Sequence, residues 1–165
     1  MEREMEHVLA ALTPTNRLVC RVCVHTGLRV GDVLNLRTEA LRPQMWVKES
    51  KTGKRKRVNL PKPLYDELNS QAGRVWVFEN KRDPMKHRTR QTVWYDVKRA
   101  ARAFRLPQNV AVHSLRKRYA VAQLEHSRGN YERVRKLLNH ADMATTMIYV
   151  MSYQLYLAKY GRKRE

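Results

Sequence analysis

The chain is 165 residues long, with 34 Lys and Arg against 15 Asp and Glu, a formal net charge of +19, and 42% hydrophobic residues. That length accommodates one domain, and the hydrophobic content can build a core, which argues against a wholly disordered basic tail. So large a positive excess points to a polyanionic partner, nucleic acid first, and away from small-molecule metabolism.

The N-terminal Met-Glu-Arg-Glu-Met-Glu-His is charged and leads into only a short apolar stretch, without the basic start and apolar core of a signal peptide. No window approaches the apolar length of a membrane span, and a cytoplasmic setting is expected, nucleoid-associated when DNA is bound. Thr13 and Pro14 open an apolar helix to about His25, with Leu18, Val19, Val22 and Cys23 at helical spacing, and Gly27 stops it. A short helix is expected over 30–36. Strands at 45–47 and 56–60 flank the turn Lys51-Thr52-Gly53-Lys54, a hairpin by turn chemistry. Pro61 and Pro63 lead into a helix near 64–69, and 75–78 reads as a third strand. Thr89 is an N-cap for a helix to about Arg105, with Val93, Val97, Ala100, Ala101 and Phe104 on its apolar side and Pro107 ending it. Helices at 114–126, 131–138 and 145–160 follow, the last broken near Ser152. The expected fold is α+β, mostly α-helical, with a small three-stranded antiparallel sheet.

The charge is unevenly placed. Residues 1–45 carry 6 Lys and Arg against 5 Asp and Glu, and residues 46–165 carry 28 against 10. The cations alternate with apolar positions, so they line a face of the folded domain rather than a detachable tail.

Several short motifs stand in a fixed order: Thr26-Gly27-Leu28-Arg29-Val30-Gly31-Asp32, Ser50-Lys51-Thr52-Gly53-Lys54, His113-Ser114-Leu115-Arg116, Leu138-Asn139-His140, Thr145-Thr146 and Tyr149. Together, from about Leu12 to about Tyr156, they resemble the catalytic domain of the tyrosine recombinases, the phage integrase family of site-specific DNA recombinases. Tyr149 lies nine residues beyond His140, the offset of the family pattern. Asn139 stands where that pattern has Gly, which implies a shifted turn at His140.

The residue types suit the chemistry. A phosphodiester repels nucleophiles and gains negative charge on its equatorial oxygens during displacement, so fixed cations must meet it there. Arginine stays protonated and donates in a planar fork that fits two phosphate oxygens. The resemblance implies that Arg29 and Arg116 form this clamp, with Asp32 supporting Arg29. It implies Tyr149 as nucleophile, forming a covalent 3′-phosphotyrosyl intermediate with help from His113, since a phenol ionises only near pH ~10 unaided. His140 would donate to a phosphate oxygen or position the tyrosine, and Lys51 would protonate the departing 5′ oxygen. Two alternatives stay open in the residues themselves. Tyr149, Tyr153, Tyr156 and Tyr160 recur at helical spacing as packing residues do, and Lys48, Lys54, Arg55, Lys56 and Arg57 surround Lys51 as a phosphate-contacting finger would.

Candidate DNA contacts are Lys54, Arg55, Lys86, Arg88, Arg90, Lys98 and Arg118, with Arg90, Gln91 and Thr92 within reach of base edges. The resemblance implies double-stranded DNA as partner, no cofactor and no metal, and a tetramer on two DNA sites, assembled through a C-terminal helix in which Leu155, Tyr156 and Leu157 supply apolar contact to a neighbouring protomer, the alternative being that this helix docks onto its own domain. It implies a catalytic domain over residues 1–165 with the core-binding and arm-binding domains absent, either a piece of a longer integrase or a naturally minimal recombinase. Cys20 and Cys23 read as helix-core residues rather than a redox or zinc pair, and Met143, Met147 and Met151 as helix-packing residues. The alternatives to a strand-cutting recombinase are a non-catalytic DNA-binding module or regulator with the same fold, and a DNA-relaxing enzyme resembling type IB topoisomerases.

Overall fold

The computed structural model describes residues 2–105, 110–140 and 142–160; Pro107 lies outside them. Met5 and Val8, one helical turn apart and both buried, fold the N-terminal stretch into α1 (Glu2–Ala10), a helix that the charged composition of this stretch conceals. Arg17 closes its C-terminus, donating from Nε to the Leu9 carbonyl at 3.0 Å and from Nη2 to the Ala10 carbonyl at 2.6 Å. A cation there satisfies orphan carbonyls and complements the helix dipole.

The next helix, α2 (Pro14–Thr26), starts at the expected Pro and stops at Gly27, whose φ of 65° is left-handed. Its first turn is capped from across the chain: Asp96 Oδ2 accepts from Thr13 N at 2.9 Å, Thr13 Oγ1 at 2.8 Å and Asn16 Nδ2 at 2.7 Å. Burial pushes the Asp96 carboxyl up, but the hydrogen bonds from Asn16, Arg99 and Thr13 outweigh it and hold it at about 2. The fold continues through α3 (Val30–Leu34) and the hairpin strands β1 (Gln44–Lys48) and β2 (Arg55–Asn59), which pair antiparallel with Val47 opposite Lys56. The helices α4 (Lys62–Gln71), α5 (Arg90–Ala103), α6 (Val112–His126), α7 (Tyr131–Leu137) and α8 (Met143–Tyr160) complete it. Thr89 caps α5 as expected, its hydroxyl accepting from Thr92 N.

Packing follows the apolar stripes: α1 lies on α5, α2 on α6, and α6 on α8, with α7 beside both. One buried cluster joins α1 to α5 and the hairpin, and a second gathers Tyr119, Ala120, Leu124, Val134, Leu138, Tyr149 and Val150 from α6 to α8.

Three expectations are corrected. The sheet has two strands, not three. Residues 75–78 make single bridges to other segments instead: Trp76 pairs with Arg37, Val77 N donates to the Leu36 carbonyl, and the Gln71 side chain takes the Val77 carbonyl, so no ladder extends. The last helix runs unbroken through Ser152, whose hydroxyl donates to the Tyr149 carbonyl at 2.9 Å and stays within the helix. Met147 and Met151 do not pack. With Ile148 and Leu155 they are exposed along α8. Cys20 and Cys23 are free and buried, burial pushing the Cys20 thiol up to about 12, as core residues rather than ligands.

Candidate active site

The left-handed turn at Gly27 reverses the chain out of α2 and delivers Arg29 to the start of α3. Only glycine fits there: a Cβ would stand 2.3 Å from the Tyr119 ring. The Gly27 carbonyl accepts from Arg116 Nη1 at 2.5 Å, and Arg116 Nη2 donates to the Leu138 carbonyl at 2.5 Å. Arg116, on α6 and 2% exposed, thereby ties three of the sequence motifs together.

Between the two arginines lies Glu49, fully buried, with Oε2 3.1 Å from Arg29 Nη1 and Oε1 3.4 Å from Arg116 Nη1. Burial pushes its carboxyl up, and the Thr52 hydroxyl, Arg29 and Arg116 bring it below its ordinary value, so it stays ionised. Sequence reasoning missed Glu49. The available signal is that it is the sole acidic residue between Glu39 and Asp66, inside a run of cations. Asp32 is farther from Arg29, at 4.0 Å, and its Oδ1 accepts from Ser50 N at 2.8 Å, so it fixes the hairpin loop against α3.

Tyr149, on α8, is buried, and its hydroxyl hydrogen-bonds to His113 Nε2 at the start of α6. The rings of His113 and His140 each stand 5.2 Å from that of Tyr149. His140 is held through Nδ1 by the buried Thr146 hydroxyl at 2.9 Å. Asn139 takes φ 52°, the left-handed conformation that glycine adopts freely and asparagine tolerates best among other residues, so asparagine can make this turn.

Electrostatics favour neutral imidazoles here. Burial and then the charges of Arg116 and Arg29 lower His140 to about 4, and burial followed by Lys117, Arg116, Arg29 and Lys51 lowers His113. A neutral His113 with its proton on Nδ1 accepts at Nε2. Burial raises the Tyr149 hydroxyl, and Arg116 and Arg29 oppose that rise. Lys117, which sequence reasoning also missed, places its ammonium 5.8 Å from the Tyr149 ring centre. Its signal is adjacency to the motif arginine.

Lys51 is exposed on the hairpin turn, whose backbone is set by Gly53 N donating to the Glu49 carbonyl at 2.8 Å. Its side chain is not packed into the cluster, though its charge is felt at His113. Among its neighbours Lys48, Lys54, Arg55 and Arg57 are exposed, whereas Lys56 is buried. Arg90 is exposed at the start of α5, and its Cδ packs over Gly31 of α3. Lys86 is exposed and paired with Asp83 at 2.9 Å. Lys98 is half-buried, 5.7 Å from the Trp94 ring centre, and Arg118 is half-buried near His25. Arg88 is half-buried and donates from Nε to Asn16 Oδ1 at 2.7 Å, which makes it a tie between α2 and the loop before α5. Among the described residues no group of three His, Cys, Asp or Glu side chains is arranged to hold a metal ion.

The Phage integrase family pattern matches residues 1–155. The tyrosine recombinase XerA of Pyrococcus furiosus is 31% identical over 144 residues, covering 81% of this chain and 49% of that protein. A crystal structure of XerA recombinase superposes with a TM-score of 0.73 at 20% identity, over 100% of this chain and 64% of that one. A lambda integrase tetramer bound to a Holliday junction gives a TM-score of 0.74 at 20% identity, over 90% and 46%. The chain spans about half the length of the curated relatives it matches.

Proposed function

The chain belongs to the phage integrase family, and on that premise we propose that residues 1–165 form a catalytic domain that cuts and rejoins double-stranded DNA at specific sites through a 3′-phosphotyrosyl intermediate. Tyr149 Oη attacks phosphorus and its proton passes to His113 Nε2. The new Oη–P bond replaces the bond to the 5′ oxygen, which leaves with a proton from Lys51. Arg29, Arg116 and His140 face the negative charge that grows on the phosphate oxygens. Rejoining is the reverse, with a 5′ hydroxyl attacking the phosphotyrosine, so the bond energy is conserved.

The observation that carries this reading is the Tyr149 hydroxyl hydrogen-bonded to His113 Nε2 beside Arg116, nucleophile and base within one chain. Arg116 Nε, buried without a hydrogen-bond partner, is a donor that a phosphate oxygen would satisfy. Fixed guanidinium and ammonium charge takes the place of a metal ion, and strand cutting proceeds with a chelator present. Lys54, Arg55, Lys86, Arg90, Lys98 and Arg118 hold the duplex backbone, Arg88 serving the fold as well. The exposed Met147, Ile148, Met151 and Leu155 on α8 supply apolar surface for self-association on DNA. The domain acts in the cytoplasm, on the nucleoid.

A nicked duplex carrying the recombination site, which traps the intermediate by losing the strand that would religate, tests the reading on a denaturing gel. A covalent protein–DNA adduct that forms in chelator and vanishes in Tyr149→Phe supports it. DNA retention without an adduct under any condition would favour a binding module instead.

A further inference from the structure

Along the basic hairpin the side chains alternate, and Lys56 takes an inward position beside Val58 and opposite Val47, 6% exposed. Its ammonium has no hydrogen-bond partner and sits 4.9 Å from the centre of the Tyr119 ring, the same ring that closes over Gly27. An unpartnered buried ammonium is costly, and an apolar residue would fill that space more cheaply. The charges facing it come from each packed element: Arg116, with Tyr119, from α6, Arg29 and Asp32 from the α3 segment, and Glu49 from its own hairpin. Two guanidiniums and two carboxylates balance one another, so the cluster is neutral when Lys56 is neutral. Burial first, then Arg116, lowers the Lys56 ammonium to about 7, against the pull of Glu49. A phosphodiester entering between Arg29 and Arg116 adds one negative charge that nothing else in this group offsets.

We propose that Lys56 is a further positioning residue of the phosphate site, giving up its proton readily while the site is empty and holding one taken up from solvent when a phosphodiester joins Arg29 and Arg116. The proposal rests on the DNA-cutting reading of that site. The bound anion and the Lys56 ammonium then stabilise each other across the cluster, and the flat Tyr119 face holds the ammonium in either state.

NMR titration of the Lys56 side chain tests this in the free protein, with inorganic sulfate, and with mixed-sequence duplex DNA in the Tyr149→Phe background. The expected midpoint is about 7 in the free protein and rises by roughly 1–3 pH units with either anion, as a nearby opposite charge produces. The native protein also loses DNA affinity between about pH 7 and about pH 9, by up to about tenfold per pH unit for the one proton involved. Lys56→Arg, permanently charged, and Lys56→Met, permanently neutral, both lose that component. An unmoved midpoint while DNA is retained, or a native pH profile in Lys56→Met, overturns the proposal and leaves the DNA-cutting reading intact. Failure of every form to retain DNA overturns the reading itself and the proposal with it.

Discussion

The Glu49 carboxylate stands 3.1 Å from the Arg29 guanidinium at a position with no solvent exposure. Arg116 meets the same carboxylate from the other side at 3.4 Å, so one anion keeps two cations near each other in a region where they would otherwise repel. Removing one member of such a buried group leaves charge uncompensated, at a cost of about 3–5 kcal/mol. Glu49→Ala is expected to lose that much stability in denaturant unfolding. Glu49→Gln, which keeps the shape, is expected to lose less stability while lowering adduct formation.

Gly27→Ala combines a left-handed φ of 65° with a Cβ 2.3 Å from the Tyr119 ring. Gly53→Ala has nearly the same strain, with φ 66°, but meets no atom within 4 Å. The expected costs are about 1 kcal/mol for Gly53→Ala and at least about 2–3 kcal/mol for Gly27→Ala, where overpacking adds to strain. Thermal unfolding separates them. Strand cutting is expected to fall only in Gly27→Ala, because Arg116 donates to the carbonyl of that residue.

His140 titrates at about 4 in the fold against 6.5 as its ordinary value. Between those two values the unfolded chain binds more protons than the native one, so stability rises with pH across that window and is lost as pH falls through it. His140→Asn is expected to flatten the slope of stability against pH there, measured by denaturant unfolding in a series of buffers. Lys56 acts in the same sense at higher pH, between about 7 in the fold and 10.5 unfolded, where Lys56→Met is expected to remove the rise.

Asp96 gives the acidic counterpart. Its carboxyl is held at about 2 against 3.8, so its contribution is present above the unfolded value and disappears as pH falls through the folded one. Asp96→Ala removes the cap of α2 and the tie to α5, with an expected loss of about 1–3 kcal/mol.

Local rules made much of this legible. Pro14 and Gly27 bracket α2, Thr89 caps α5, and the Lys51–Lys54 turn closes the hairpin, each through chemistry confined to a few residues. What escaped depended on distant partners. The 75–78 segment has strand-forming residues, but its backbone groups are taken by Leu36, Thr38 and Gln71. Motif order pointed to Arg29, His113, Arg116 and His140, which the fold gathers around Tyr149, and to Lys51, which stays exposed on the turn, while Glu49 and Lys56 stayed hidden because strand alternation and burial, not residue type, set them apart from the exposed cations beside them. Arg88 reads as a DNA contact by charge and is a structural tie by its bond to Asn16.

The most direct test identifies the residue joined to DNA. After trapping on the nicked duplex, trimming with nuclease and digestion, mass spectrometry of the modified peptide should place the nucleotide on Tyr149 through a 3′ phosphate, with the modification absent from His113→Ala or formed far more slowly. A nucleotide on Tyr153 or another tyrosine, or full adduct yield in Tyr149→Phe, would contradict the account.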